Sequence, residues 1–413
     1  MEVAIIGAGV SGLTTANLLK EKGIKSIIFE KENKPGGLIR CDRIDGSLFH
    51  ICGGHIFNSK RQDVLDWFWN KLDKDKEFTK ADRNAVVFMA NGAEIPYPIE
   101  NHIFLFDETI QRKCISDLLK IASSDYSTYE NFEDFLKKRF GITLYDLYFN
   151  PYNQKIWREN LNNVPISWLE GKLPMPTAEE IIFNNINHVK EKKFVHSSFW
   201  YEKYNGSQFI ADKLANGLDI KYNSNVDKLT YNQGKWLVNN EEFDRVVFCG
   251  NIKELPQIIQ GIDISPFTTS IESLKFHGTT SVFCEIDKNP YSWIYLPDNR
   301  YRAHRIICTG NFAESNNMKG KMTATVEYTD YISINDIKKD LEKIPLNPRY
   351  ITHHFNKYTY PIQEQNTRKM ISELKRFLAK HKLYFTGRFA DWEYYNMDIA
   401  MGAAIDNLKQ VIK

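Results

Sequence analysis

The sequence predicts an α/β protein, and three observations favour this fold class. The chain opens with a β-branched apolar run, a glycine-rich turn and a helix-like stretch. From about residue 106 to residue 189, apolar residues recur at helical spacing, as in Phe132-Phe135-Leu136. Between about residues 234 and 331, apolar and polar residues alternate as they do in strands. We therefore expect a parallel sheet, a helical insertion and an antiparallel sheet.

Composition narrows the function classes. Lys and Arg number 54 against 52 Asp and Glu in 413 residues, so a net charge of +2 offers no basic field, and we expect no nucleic-acid partner. The six cysteines form no Cys-x-x-Cys pair, which predicts reduced thiols rather than a disulfide or metal framework. No stretch approaches the roughly 18 apolar residues of a spanning helix, and the first predicted strand begins at residue 3. We expect a cytoplasmic protein without membrane insertion.

The first 30 residues predict a βαβ unit. Val3 to Ile6 should form a strand, Leu13 to Lys22 a helix and Ser26 to Phe29 a second strand. Gly-x-Gly-x-x-Gly over residues 7–12 stands directly after the first strand and opens the helix, the context in which it indicates dinucleotide binding. Glu30 then ends the second strand.

Each residue of this motif has a physical role. Gly7 allows a tight turn, and Gly9 lets a pyrophosphate approach the backbone N–H groups at the helix start. Gly12 allows close packing of the helix on the strand. Glu30 can accept hydrogen bonds from a ribose hydroxyl. The alternative is a glycine turn that holds no ligand.

A second glycine pair bears on which dinucleotide is bound. Glu30-Lys31 is followed by Pro35-Gly36-Gly37 and Arg40. This arrangement resembles FAD proteins of the glutathione-reductase type, especially their amine oxidase and mutase branches. The resemblance implies FAD as the cofactor. The alternative is that Gly36-Gly37 is only a surface turn.

Six further segments, in a consistent order along the chain, carry a more specific resemblance. They are Gly53-Gly54-His55-Ile56-Phe57, Pro96-Tyr97-Pro98-Ile99, Tyr152 with Trp157, Arg305-Ile306-Ile307 with Phe312, Glu327-Tyr328, and Gly387-Arg388-Phe389 with Tyr394, Met397 and Asp398. Together they resemble the UDP-galactopyranose mutase family.

This resemblance implies a set of site residues. For FAD they are Gly7, Gly9, Val10, Ser11, Gly12, Glu30, Lys31, Gly37, Leu38, Gly54, His55, Ile56, Val226, Gly387, Arg388 and Met397. For the substrate they are Tyr152, Trp157, Arg305, Tyr328, Tyr358, Tyr394 and Asn396. Catalytic roles are implied for Arg305, His55 and Tyr328.

The implied reaction interconverts the pyranose and furanose forms of a UDP-galactose-like sugar, for surface polysaccharide. In the family, N5 of reduced FAD attacks the anomeric carbon and expels the nucleoside diphosphate, and the sugar opens and recloses. The implied partners are the nucleotide sugar, a reductant such as NAD(P)H or a reductase, and a second copy of the chain in a homodimer.

Several segments depart from the family pattern. Lys172 to Pro176 has a proline where the family has a second arginine for the diphosphate, and Asn396 replaces an aspartate. Residues 204–210 resemble flavin amine oxidases instead. Since one arginine is a poor match for two phosphate charges, another cation is expected, with Arg158, Lys172 and Lys203 as candidates. Two alternatives stay open: an FAD-dependent oxidoreductase acting on an amine, alcohol or sugar, and a flavin-binding partner subunit without catalysis.

The expected domains are discontinuous. A Rossmann-like FAD-binding domain takes residues 1–57, 203–265 and 366–413, with helices near Ile371 to Ala379 and Ile399 to Ile412 around a strand, Leu383 to Phe385. Residues 103–192 form the helical insertion. Residues 58–102 and 266–365 form the antiparallel substrate domain, and the active site lies in the cleft among the three.

Overall fold

The computed structural model describes residues 1–124, 126, 128–166, 176–189 and 198–413. Its strands are β1 (Glu2–Ile6), β2 (Lys25–Phe29), β3 (Cys41–Ile44), β4 (Ser47–His50), β5 (Phe78–Asp82), β6 (Ala85–Phe88), β7 (Glu94–Pro96), β8 (Ser198–Glu202), β9 (Asp219–Lys221), β10 (Leu229–Asn232), β11 (Lys235–Val238), β12 (Glu241–Phe243), β13 (Arg245–Phe248), β14 (Ile259–Gln260), β15 (Phe276–Glu285), β16 (Trp293–Tyr295), β17 (Arg305–Ile307), β18 (Thr323–Thr329), β19 (Arg349–Pro361) and β20 (Leu383–Phe385). Its α-helices are α1 (Val10–Glu21), α2 (Gln62–Lys71), α3 (Lys74–Glu77), α4 (Glu108–Ala122), α5 (Phe132–Phe140), α6 (Ile142–Leu144), α7 (Asn150–Trp157), α8 (Ala178–Ile186), α9 (Ser207–Ala215), α10 (Leu255–Ile258), α11 (Ser265–Glu272), α12 (Ile334–Leu341), α13 (Thr367–Ala379) and α14 (Met397–Ile412).

A five-stranded parallel sheet has the order β20-β13-β1-β2-β9. Strand β1 is central, and four of its five residues are buried, because helices cover both faces of a parallel sheet. The expected βαβ unit is confirmed as β1, α1 and β2. Strand β20 does return to this sheet, beside β13. The chain thus brings its C-terminal segment back to its start.

The apolar alternation after residue 234 predicts antiparallel strands, and this is right for one segment and wrong for the next. Lys235 to Val238 forms β11, which pairs antiparallel with β10 and β12 in a separate four-stranded sheet, β12-β11-β10-β14. Val246 to Cys249 overlaps β13, which lies in the parallel sheet beside β1. The reason is that alternation of apolar residues reports which faces are buried, and does not identify the partner strand.

A second large sheet has seven strands in the order β19-β15-β18-β17-β16-β6-β7. All of its pairs are antiparallel except β16 with β6. Successive side chains of a strand point to opposite faces. Consequently Arg305, Ile307 and Glu327 share one face, whereas Ile306, Val326 and Tyr328 lie in the core on the other.

The helical insertion covers the face that carries Arg305. The segment from α5 to α7 contributes buried aromatic side chains, among them Phe135, Tyr148 and Tyr152, to one core with Trp293 and Tyr295 of the sheet. Side chains cap the helix starts: Asp107 accepts from the N–H of Ile110 and Asn131 from that of Asp134.

Helix α13 holds the C-terminal segment on the parallel sheet. Its buried stripe, Ile371, Leu374 and Leu378, packs in a core that contains Trp236 and Leu383. All six cysteines are free, and no helix in the described part of the chain is long and apolar enough to span a membrane.

Leu374→Ala should destabilise the fold, because Leu374 is 0% exposed and its truncation leaves a cavity. We expect the free energy of unfolding in urea to fall by about 2 to 5 kcal/mol. The neighbouring Glu373 is exposed on the same helix, so Glu373→Ala should change it by less than about 0.5 kcal/mol. Equal effects of the two changes would contradict this packing.

Candidate active site

A cavity of about 620 Å³ opens where the strands of the parallel sheet end. Ile6, Phe29 and Phe248, the last residues of β1, β2 and β13, all line it. Ligands of open α/β sheets bind at this edge. The predicted site residues on its wall are Gly7, Gly9, Val10, Ser11, Gly12, Glu30, Lys31, Gly37, Leu38, His55, Val226, Tyr358, Gly387, Arg388, Asn396 and Met397.

The glycine turn has the geometry of an anion cradle. Helix α1 begins after Gly9, and no side chain caps it, which leaves its first N–H groups to a ligand. A Cβ at Gly12 would lie 1.9 Å from the carbonyl oxygen of Gly7, whereas a Cβ at Gly9 would meet nothing within 4 Å. Gly12 thus sets how closely helix and turn pack, and Gly9 faces open space.

Glu30 braces this turn. Its carboxylate is buried at the end of β2 and accepts hydrogen bonds from the N–H of Ala8 at 2.6 Å and of Glu32 at 2.9 Å. Each carboxylate oxygen can accept a second hydrogen bond, so Glu30 can also receive a ribose hydroxyl. Glu30 therefore has a structural role in the turn, and its contact with a ribose stays a prediction.

His55 lines the cavity, and a second histidine accepts a hydrogen bond from its backbone N–H. Its N–H donates to Nδ1 of His50 at 3.4 Å, and Nε2 of His50 shares a hydrogen bond of 2.9 Å with the Tyr201 hydroxyl. Burial lowers the pKa of His50 to about 3, and burial together with Arg388 lowers that of His55 to about 4. Both imidazoles are therefore neutral at pH 7.

A charged pair lies on the insertion-facing side of the seven-stranded sheet. Arg305 and Glu327 are directly opposite each other on β17 and β18, and Nε of Arg305 donates to Oε2 of Glu327. Glu327 is only 1% exposed. Burial raises the pKa of Glu327, but Arg305 and His304 outweigh it and bring that pKa down to about 2. The carboxylate is thus ionised and fixes the guanidinium.

Aromatic side chains join this pair to the cavity. Arg305 donates to the Tyr360 hydroxyl at 3.2 Å, and the Tyr360 ring stacks on Tyr394 with centroids 5.4 Å apart. The Arg388 guanidinium, on the cavity wall, lies 4.7 Å from the Tyr394 ring centre. We call Arg305, Glu327, Tyr295, Tyr360 and Tyr394 the Arg305 cluster. Because Tyr394 contacts Arg388, the Arg305 cluster and the cavity belong to one continuous site.

The helical insertion adds Tyr152 to the cluster. Its ring meets that of Tyr295 edge to face at 5.4 Å, and Tyr295 stands directly opposite Arg305 on β16. Tyr152 therefore lies beside the Arg305 cluster.

Four predicted residues are placed elsewhere. Tyr328 is 1% exposed in the core behind the sheet, because it alternates with Glu327 along β18. Trp157 is 6% exposed and packs on Phe132 within the helical core, so its ring is not presented for stacking on a base. Gly54 and Ile56 are not on the cavity wall: a Cβ at Gly54 would lie 2.5 Å from Ile307, and Ile56 packs against the core of the insertion.

Two of the three candidate cations are engaged away from the cavity. Arg158 donates to the Thr329 carbonyl at 2.8 Å, and Lys203 to the carbonyls of Asp75 and Lys76 at 3.0 and 2.9 Å. Lys172 lies outside the described residues.

The sequence prediction missed Glu327, Tyr360 and Tyr295 as members of the cluster. Glu327 could have been found, since it shares a motif with Tyr328 and a carboxylate beside an expected arginine suggests pairing. Tyr360 and Tyr358 are two apart on β19, and only the observed register shows that Tyr360 meets Arg305 while Tyr358 lines the cavity.

The glycine turn, the cavity at the sheet edge and Glu30 together define a Rossmann-like dinucleotide-binding fold. Comparison with known proteins agrees, since residues 5–72 match a family described as NAD(P)-binding Rossmann-like domain. The chain is 24% identical to the UDP-galactopyranose mutase of Mycoplasma genitalium, over 100% of this chain and 95% of that protein. It is also 24% identical to the dTDP-fucopyranose mutase of Escherichia coli, over 100% and 98%.

A solved structure of reduced UDP-galactopyranose mutase superimposes with a TM-score of 0.89 at 20% identity, covering 100% of this chain and 93% of that one. The α/β fold with its Rossmann-like half is thereby confirmed. The resemblance inferred from short motifs is also confirmed, and it extends along the whole chain.

The two glycines of the turn should separate folding from cofactor binding. Gly12→Ala forces a Cβ against the Gly7 carbonyl and should lower the free energy of unfolding by about 3 kcal/mol or more. Gly9→Ala has room and should lower it by less than about 1 kcal/mol, yet its methyl group would occupy the open space at the start of α1, where a pyrophosphate is expected to bind. Urea unfolding and visible absorbance after adding FAD measure the two effects. Retention of FAD by the Gly9→Ala protein would contradict the cradle.

Glu327→Gln should destabilise the protein in a pH-dependent way. Because the folded pKa of Glu327 lies below its ordinary value of 4.5, the carboxylate stabilises the fold above pH 4.5 and loses this effect as the pH falls towards 2. We expect a loss of about 3 kcal/mol at pH 7 that shrinks to less than half by pH 3. Glu285→Gln, at a more exposed pair with Arg349, is the control and should change stability by under about 1 kcal/mol. A loss that does not vary with pH would contradict this assignment.

Proposed function

We propose that the protein is an FAD-dependent mutase that interconverts the pyranose and furanose forms of a UDP-galactose-like nucleotide sugar. The observation that carries the proposal is the continuity of the dinucleotide cavity with the Arg305 cluster. Two full-length relatives are named as mutases of nucleotide-linked pyranoses, which supports the reaction class.

The polar groups that line the cavity suit the pyrophosphate and ribose of FAD. The uncapped start of α1 and the open space at Gly9 would receive the pyrophosphate, with Arg388 as a cation on the same wall. Glu30 would hold the ribose. Bound and reduced, FAD supplies the nucleophile for displacement at the anomeric carbon.

The protein's own residues hold the substrate and its leaving group. Arg305 remains charged and offers the guanidinium N–H groups not used by Glu327 and Tyr360 to a phosphate. Glu327 orients this fork. Tyr360 and Tyr394 add hydroxyl groups, which can donate hydrogen bonds. We assign the departing diphosphate to Arg305 for this reason.

His55 has a different part. Since its pKa is lowered to about 4, it acts as a neutral imidazole and not as a general acid at pH 7. Its N–H donation to His50 fixes the backbone along the wall of the cavity that would hold the cofactor. We therefore propose that His55 positions the cofactor.

The proposed reaction also requires a source of electrons. A mutase that works with reduced FAD needs a reductant such as NAD(P)H or a reductase. We also propose a homodimer and a cytoplasmic location, where a nucleotide sugar for surface polysaccharide would be available.

The alternative of an oxidoreductase draws on the segment that resembles flavin amine oxidases. Ser207 in this segment donates to the Ile39 carbonyl at 2.7 Å and contacts Nδ1 of His50 at 3.2 Å, so it supports the wall beside the cofactor site. Such an enzyme would reduce oxidised FAD with its substrate, which a mutase would not.

The deciding measurement is anaerobic incubation of the dithionite-reduced protein with UDP-galactopyranose, UDP-galactofuranose or dTDP-fucopyranose, followed by chromatography. We expect interconversion of ring forms by reduced protein only. Arg305→Lys should lower kcat/KM at least about 100-fold, because a lysine cannot reproduce the paired fork. Arg302→Ala removes an exposed arginine and should leave the rate unchanged. Bleaching of oxidised FAD by substrate, without interconversion, would overturn the mutase in favour of the oxidoreductase.

A further inference from the structure

Arg83 has an unusual environment on the same sheet face as Arg305. It lies just before β6, and its guanidinium carbon is 5.3 Å from the ring centre of Tyr97 and 5.2 Å from that of Trp293. It also donates to the Tyr295 hydroxyl. The rings of Tyr97 and Trp293 hold the planar guanidinium in place.

The charge of Arg83 is not balanced by the protein. In the described part of the chain no carboxylate pairs with Arg83, and its buried Nε has no acceptor there. Arg305, in contrast, is neutralised by Glu327. A partly desolvated guanidinium without a counterion is unfavourable, so this arrangement favours the arrival of an anion.

The register of the sheet places Arg83 next to the Arg305 cluster. Tyr295 stands opposite Arg305, and its hydroxyl receives the hydrogen bond from Arg83. Trp293 and Tyr295 are two residues apart on β16, so both face the same side as Arg305. Arg83 and Arg305 are therefore both neighbours of Tyr295 on one face of the sheet.

We propose that Arg83 binds the diphosphate of the nucleotide substrate together with Arg305. A nucleoside diphosphate carries at least two negative charges, and the Arg305–Glu327 pair supplies a well-placed fork but no net charge. Arg83 supplies the missing charge, and its N–H fork suits phosphate oxygens. This inference rests on the proposed function, and it assigns the second cation to the sheet instead of the helical insertion.

Nucleotide binding by the FAD-loaded protein tests it, with UDP, dTDP, uridine and thymidine as probes in calorimetry. We expect Arg83→Met, which keeps an apolar chain between the rings, to weaken UDP or dTDP binding about 10- to 100-fold and to leave the nucleosides unaffected. Arg83→Lys keeps the charge without the fork and should lie between wild type and Arg83→Met. Arg302→Ala, an exposed arginine paired with Asp336, is the matched control and should bind UDP as wild type does.

Flavin content and thermal midpoint report whether each variant folds. Unchanged UDP and dTDP affinity in Arg83→Met would show that Arg83 only packs between the rings. Equal weakening of diphosphates and nucleosides would show a general structural role, and wild-type protein that binds neither diphosphate would also overturn the inference.

These results separate the inference from the proposed function. Interconversion of sugars by wild type with unchanged diphosphate binding in Arg83→Met would defeat the inference alone. Failure of wild type to interconvert any sugar, with diphosphate binding that still depends on Arg83, would defeat the mutase and retain the diphosphate site.

Discussion

The cross-strand pair of Arg305 and Glu327 is the interaction on which the substrate side of this structure depends. A carboxylate with 1% exposure is tolerated because a guanidinium lies directly opposite it on the next strand. A shift of one residue in the pairing of β17 with β18 would send one partner to the far face and leave the other buried and unpaired. The ion pair therefore specifies the register, and the register sets which side chains can meet a substrate.

The cofactor side depends on a second close contact, between Gly12 of α1 and the Gly7 carbonyl. The two sides meet because β19 and the segment before α14 converge. Tyr360 comes from β19 and Tyr394 from that segment, and their stacked rings lie between Arg305 and Arg388. Two sheets with different topology thus share one site, and neither half of the chain contains it alone.

Local signals carried the prediction of the fold and of the nucleotide cavity. The turn after β1, Glu30 at the end of β2 and the strand β20 are each defined by a short run of residues. The partner of a strand is not, which is why the alternation in Val246 to Cys249 predicts an antiparallel strand although β13 pairs in parallel with β1. Trp157 shows the same limit: its motif identified a position on a helix, but tertiary packing decided that its ring turns into the helical core.

The motif Glu327-Tyr328 shows why a sheet-borne site is hard to read from a resemblance. Adjacent residues of a strand face opposite sides, so a two-residue motif on β18 contributes one side chain to the site and one to the core behind it. The tyrosine of this motif lies on the far face, and the register of β17 with β18 places Glu327 opposite Arg305. The surroundings of Arg83 were still less accessible, because they join residues 83, 97, 293 and 295 through strand order alone. No linear motif connects the residues that surround Arg83. The order and register of the strands therefore determine which charged side chains lie together in the site, and so its net charge.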